Sequence, residues 1–271
     1  MSFAQKSCDE KSVLLQRANR QSMFAVFTPP TMEVDIFIPC FIDQLYPQTG
    51  FSFVKVLERA GVTVHYNEKQ TCCGQPAFNS GYWDEARKVA EKFVGDYAGT
   101  RPIVSPSGSC TGYVRNYYPQ LFKDHPELLA QYEKVNSNLF EMTDFLVNKL
   151  KITDLGSEFK AKVTYHDSCS ALREYKIKQE PRILLSKVKG LELVEMDEVE
   201  TCCGFGGTFS VKHPDISQAM AEQKVENALK SGAEYITTTE SSCLMNIAGF
   251  IKKNNLPIKA IHIADILASG L

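Results

Sequence analysis

Several features that would set the class of this 271-residue chain at once are missing from it. No run comes near the ~18 apolar residues of a membrane-spanning helix. Neither sign of charge predominates: 30 Lys and Arg stand against 32 Asp and Glu, for a formal net charge of -2. That balance gives no reason to expect nucleic acid or an anionic membrane as partner. The N-terminus carries Asp9 and Glu10 and no long apolar core, so it does not read as a secretory signal. The expected compartment is therefore the cytoplasm. Nucleotide loops are missing as well. Ser105-Pro106-Ser107-Gly108-Ser109 lacks the Gly-Lys-Ser/Thr ending of a phosphate loop. Gly204-Phe205-Gly206-Gly207 has Phe209 in the place of a dinucleotide loop's third glycine, and no ribose-binding acid can be assigned. No flavin or nicotinamide site is recognisable, so any hydride chemistry must come from a partner. No Ser-His-Asp or paired-carboxylate arrangement can be argued from spacing.

What is present is a normal globular mix, 44% hydrophobic and 23% charged, able to build one large domain or two ordinary ones. It also holds nine cysteines. In a cytosolic chain these read as metal ligands or redox groups rather than as a disulfide framework. Two adjacent pairs stand out: Thr71-Cys72-Cys73-Gly74 and Thr201-Cys202-Cys203-Gly204. Neighbouring Cα atoms sit about 3.8 Å apart, too close for an unstrained disulfide, which needs at least about 4.4 Å. Two thiolates side by side repel by about 1–4 kcal/mol, depending on the local dielectric. A multinuclear cationic centre removes both problems, because each sulfur ligates a different edge of one cluster. Gly74 and Gly204 then let the backbone turn tightly or approach the cluster, and Gly206 and Gly207 let it wrap one.

The chain reads as two passes through one pattern after an extension over residues 1–30, which contains Cys8 and ends at Pro29-Pro30. Residues 31–155 form the first repeat. A strand pattern over Val34–Cys40 ends on a cysteine, and a helix carrying Phe53, Val56 and Leu57 stops at Gly61. Strands are expected at Val62–Tyr66, Ile103–Ser105 and Asn138–Met142. The connecting helices include one with Ala86, Ala90, Phe93 and Val94 at 3–4 spacing and a polar one running to about Leu129. Residues 156–271 repeat the order, with strands at Val163–Cys169, Leu191–Val194, Tyr235–Thr238 and Ile258–His262. A helix leading to Gly190 and a long one through Met220, Val225 and Leu229 connect them.

Cys40, Cys72, Cys73 and Cys110 recur as Cys169, Cys202, Cys203 and Cys243 at a near-constant offset of about 130 residues. The fold expected is α/β: two tandem pseudo-repeated β-α-β (Rossmann-like) units with small parallel sheets. In such sheets ligands sit at the carboxyl ends of the strands. Four thiolates per half should converge there, beside helix N-termini that stabilise an anionic assembly.

Zinc in one or both halves is the chemical alternative, since four thiolates make a tetrahedral site. Its usual signature is a pair of Cys-x2–4-Cys spacings, and an adjacent doublet is poor geometry for it. Thiol–disulfide exchange is a third reading, although cytosolic redox pairs usually appear as Cys-x-x-Cys. His166, three residues before Cys169, is either a ligand or a hydrogen-bonded strand-end histidine. Asp167 and Glu240 either tune the centre or do nothing.

A lone cysteine, then Cys-Cys-Gly, then a distal cysteine, present twice, resembles the CCG or cysteine-rich domain superfamily. That superfamily includes a subunit of heterodisulfide reductase and the C-terminal regions of glycolate oxidase and anaerobic glycerol-3-phosphate dehydrogenase iron–sulfur subunits. Cys72 to Gly81, Ser105 to Cys110, Cys202 to Ser210 and Cys243 to Asn246 carry the resemblance, which is closest to the lactate-utilisation protein A family and spans about Val34 to Leu267. It implies cytosolic oxidation of L-lactate to pyruvate with companion iron–sulfur and lactate-utilisation subunits. It also implies non-cubane [4Fe-4S] iron–sulfur clusters, with the eight repeated cysteines as metal ligands and electron transfer as their work. The sequence departs from the superfamily in one respect. Ser107 and Glu240 stand where the earlier cysteine of a Cys-x-x-Cys would be, which leaves four cysteines per half and puts heterodisulfide-type chemistry in doubt.

Overall fold

A computed structural model describes residues 32–271; the expected extension, with Cys8, lies outside the described residues. The first strand, β1 (Met32–Ile36), buries Val34 and Ile36 completely enough to sit at a sheet centre. It pairs in parallel with β2 (Val62–Tyr66) on one side and β3 (Ile103–Ser105) on the other, and β4 (Leu139–Glu141) extends the sheet past β3. The second half repeats this with β5 (Glu158–Tyr165), β6 (Lys189–Val194), β7 (Tyr235–Thr238) and β8 (Lys259–His262). The strand orders are β2-β1-β3-β4 and β6-β5-β7-β8, the same topology twice. Parallel neighbours need crossover segments, so helices cover the sheet faces.

In the first half these are α1 (Cys40–Leu45), α2 (Pro47–Arg59), α3 (Gln75–Asn79), α4 (Trp83–Asp96), α5 (Gly108–Leu121) and α6 (Pro126–Ser137), followed by the short α7 (Met142–Asp144). The last runs straight into a π-helical turn at Phe145–Lys149. The second half has a π-helical turn at Ala171–Tyr175, then α8 (Glu180–Leu185), α9 (Phe209–Lys212), α10 (Pro214–Lys230), α11 (Ser241–Lys253) and α12 (Ile263–Leu267). As the apolar spacing predicts, α2 buries Phe53, Val56 and Leu57, and α4 buries Ala86, Ala90, Phe93 and Val94.

Some boundaries differ from expectation. The first strand stops at Ile36 instead of running to Cys40, because Pro39 has no N–H to donate and takes the extended N-cap conformation that starts α1. The polar helix expected to reach Leu129 is two helices, with Pro126 opening the second. The segment before Gly190 is a π-helical turn closed by Lys176 at φ +76° and then the short α8. β5 begins at Glu158, five residues earlier than its apolar pattern suggested.

Three apolar clusters make up the core of the described residues. One is private to the first half and contains Phe93, Tyr118, Cys73 and Cys110. Another is private to the second half and contains Val225, Ile247, Cys203 and Cys243. The third joins the halves: Val34, Ile36, Val56, Leu57 and Phe145 pack with Val163, Tyr165, Leu184, Ile263 and Ile266. Each such side chain contributes about 1.5–3 kcal/mol by leaving water, so the shared cluster is a strong mutual support. A hydrogen bond from Thr49 Oγ1 to Asp265 Oδ2 (2.8 Å) reinforces it.

Candidate metal centre

Each cysteine of a quartet reaches the site by the same local device in both halves. Cys40 and Cys169 follow the central strands β1 and β5, and Cys40 is the first residue of α1. The doublets follow the edge strands β2 and β6 and precede α3 and α9. Cys110 and Cys243 lie in the first turns of α5 and α11. The glycine after each doublet sits in the left-handed region, Gly74 at φ +92° and Gly204 at φ +85°. A Cβ on Gly204 would come within 2.6 Å of the Ser217 carbonyl oxygen in α10, so the close approach that requires glycine is to a helix. The tight turn aims the glycine N–H at the first sulfur of the doublet: Gly74 to Cys72 and Gly204 to Cys202, both 3.4 Å. The carbonyl of each second doublet cysteine is also held. Tyr118 donates to that of Cys73 (2.7 Å) and Asn246 to that of Cys203 (2.8 Å).

Cys40 Sγ lies 3.7 Å from Cys72 Sγ, and Cys73 Sγ lies 3.5 Å from Cys110 Sγ. In the second half the sulfurs of Cys203 and Cys243 and a ring nitrogen of His166 all fall within 4.8 Å of one another. All eight cysteines are free thiols, and all eight line one cavity of about 490 Å³. The strand ends of the two sheets thus face each other across a common space. Phe41 and Phe205 meet edge-on at 5.5 Å beside it, one from each half.

The thiols are strongly coupled. Cys72 is lowered to about 3, chiefly by the Cys40 thiol and then by Cys73, with the Gly74 N–H adding and burial opposing. Cys202 is lowered to about 2 by the matching set, Cys169 first, then Cys203. Their partners Cys40 and Cys169 are pushed up, first by those same hydrogen bonds and then by burial. Cys73 is raised, most by Cys110; Cys203 is raised, most by Cys202. Cys243 is lowered to about 5, first by Cys203, against burial, with His166 adding. Each quartet therefore sets a sulfur that loses its proton readily, Cys72 or Cys202, beside thiols whose neighbours and burial hold the proton on, Cys40 and Cys73 or Cys169 and Cys203. Soft sulfur donors at this density fit a thiophilic metal or an iron–sulfur group.

The matches to known proteins agree with this geometry. A family model described as Cysteine-rich domain matches residues 34–115 and 163–248. Lactate utilization protein A of an Exiguobacterium species is 45% identical over 240 residues, which cover 88% of this chain and 98% of that protein. Lactate utilization protein A of Bacillus pumilus is 43% identical over 238 residues, covering 88% and 100%. The chain belongs to the cysteine-rich domain family, in its lactate utilization protein A group. A hypothetical protein from Helicobacter pylori superposes on 90% of this chain and 50% of its own with TM-score 0.59 at 12% identity, a likeness of fold alone.

In this cysteine-rich domain chain Ser107 and Glu240, each three residues before the last cysteine of its quartet, meet each other. Ser107 is the N-cap of α5, its Oγ accepting from the Cys110 N–H at 3.3 Å. Glu240 is the N-cap of α11, yet its carboxylate makes no bond to that helix. Instead it crosses to the other half, accepting from Ser109 N–H (2.5 Å), Ser109 Oγ (2.7 Å) and Ser107 Oγ (3.3 Å). It is buried and its pKa is pushed up to about 8, first by desolvation and then by Cys243. No spacing rule signals that contact, which joins positions 133 residues apart. Asp167, by contrast, does not line the cavity. It forms a bidentate ion pair with Arg182, both contacts at 2.9 Å, and Arg182 also reaches Glu195. Gly206 and Gly207 do line the cavity. Lys224, missed at the sequence level, is buried behind the second doublet and donates to the carbonyls of Glu198 (2.7 Å) and Val199 (3.2 Å). Burial lowers its pKa, against the pull of Cys203 and the acids nearby.

Proposed function

We propose that the chain is an iron–sulfur subunit of a cytosolic oxidoreductase complex that oxidises L-lactate to pyruvate, with companion iron–sulfur and lactate-utilisation subunits. Cys40, Cys72, Cys73 and Cys110 hold one centre; Cys169, Cys202, Cys203 and Cys243 hold the other. The observation that carries the reading is the convergence of both quartets on one cavity. The name borne by the relatives, lactate utilization protein A, supports the substrate. No helix among the described residues is long and apolar enough to cross a membrane.

Lactate oxidation releases two electrons and two protons. An iron–sulfur group supplies one-electron storage and transfer when bound, so two such centres match the electron count. The chain's own residues fix the geometry: the Gly74 and Gly204 amides hold a sulfur of each doublet in place, and α5 and α11 present Cys110 and Cys243 at their positive ends. Anaerobically purified protein should be brown, with several irons and matching sulfide per chain. Cys73→Ser and Cys203→Ser should each lower the iron content. Unchanged iron in both variants refutes the ligand sets.

A zinc scaffold is the second reading, favoured by one observation: two sulfurs and a nitrogen gathered within 4.8 Å in the second half suit a mononuclear site. Colourless anaerobic protein with one zinc per chain decides for it.

A further inference from the structure

The halves match so closely that the informative positions are those where the match fails. Phe37 and His166 occupy the same point in the two sheets. Phe37 N–H donates to the Val104 carbonyl at 2.9 Å and His166 N–H to that of Thr237 at 2.8 Å, each extending its central strand beside its neighbour. Both then lead, three residues later, to the first cysteine of a quartet. Phe37 is at home in its apolar cluster, edge-on to Phe93 at 5.0 Å and Tyr97 at 6.1 Å. His166 is fully buried in the equivalent place, no well-formed hydrogen bond holds either of its ring nitrogens, and the thiol of Cys243 is the group that its ring acts on. A buried imidazole without a well-formed hydrogen bond is costly, so a stronger partner is expected. The sulfurs of Cys203 and Cys243 lie within 4.8 Å of a ring nitrogen.

We propose that His166 supplies a nitrogen ligand to the metal centre of the second half, so that a sulfur–nitrogen centre there sits beside an all-sulfur centre in the first half. The iron identity of that metal rests on the function proposed above; the nitrogen ligand does not. Imidazole is a neutral donor that binds both iron and zinc. With it the second half has five donors against four in the first. The Phe37/His166 difference thus makes the donor sets of the two sites unequal.

The test is spectroscopic and uses the full-length, anaerobically prepared protein. Electron–nuclear double resonance on the reduced protein, with ¹⁴N-histidine and then ¹⁵N-histidine, reads whether an imidazole nitrogen is bound directly, and needs no substitution. The variant is His166→Phe, which installs the residue found at the matching first-half position; circular dichroism checks its fold. The expected result is a strong nitrogen coupling that changes with the histidine isotope and is abolished in His166→Phe, while the Cys73→Ser protein, lacking the first centre, keeps it. Full iron with no histidine coupling, or a coupling that survives His166→Phe, overturns the proposal. If the protein contains zinc and no iron, the iron–sulfur reading fails separately. Zinc-edge X-ray absorption then decides: a nitrogen in the zinc shell that disappears in His166→Phe supports the ligand, and an all-sulfur shell overturns it. Protein that takes up neither metal overturns both.

Discussion

Glu240 shows how one side chain can tie two repeats together. It begins α11, but its carboxyl group caps α5 of the opposite half and is wholly enclosed. Burial raises its pKa from 4.5 to about 8, so the folded protein holds a proton there that the unfolded chain has released. The sign follows from linkage. Where the native state binds more protons than the unfolded one, stability falls as pH rises. The contribution of Glu240 is full below about pH 4.5 and lost as pH climbs through about 8. Glu141, at the end of β4, is also raised to about 8, again by desolvation. Denaturant midpoints of wild type and Glu240→Gln across this window should therefore diverge. The wild type loses up to about 1.4 kcal/mol per pH unit relative to the variant. Parallel curves would show that the carboxyl is ionised throughout. Legibility at this scale was uneven. Ser107 and Glu240 stand out in the sequence as departures from the pattern of the superfamily it resembles, but nothing local says that two departures lie within hydrogen-bond reach of each other.

Among the elements, α5 is closely seated. Gly108 and Gly112, one turn apart, let it lie directly on the π-helical turn Ala171–Tyr175. A Cβ at Gly108 would come within 2.6 Å of the Ala171 Cβ, and one at Gly112 within 3.1 Å of the Glu174 Cβ. Asn116 and Tyr117, further along the same helix, bond to Glu174. Because Cys110 rides on the first turn of α5, a shift of the helix moves a sulfur. Gly108→Ala should cost about 1–3 kcal/mol through overpacking, read as a lower thermal or denaturant midpoint, and should reduce iron content. A variant with wild-type stability and iron would show that the contact has room to relax. The strands and the amphipathic α2 and α4 were legible because their periodicity is a local property of the chain. The π-helical turns and the break before α6 were not. The turns depend on what packs across from them, and Pro126 only permits a break.

At the scale of the whole molecule, one of the three core clusters among the described residues is shared by the two repeats. Ile36, Leu57 and Phe145 of the first half bury against Val163, Tyr165 and Ile266 of the second. Separating the repeats exposes that surface on each side. Residues 31–155 and 156–271 expressed alone should lack a cooperative unfolding transition and bind a hydrophobic dye, where the full chain shows a single transition. Sharp, independent melting of either piece would mean that the private clusters suffice.

The order of strands and helices, the repeat of about 130 residues and the two sets of four cysteines all follow from the chain's local pattern and its recurrence. Apolar periodicity and residue spacing are written along the chain, and they need no distant partner to be read. The single cavity enclosed by both sets, the Glu240 cap on the opposite half and the buried His166 beside Cys203 came only with the fold. The first two depend on how one half lies against the other. That placement is set by burying apolar surface from both, a sum over many weak contacts with no signature in any short stretch of sequence.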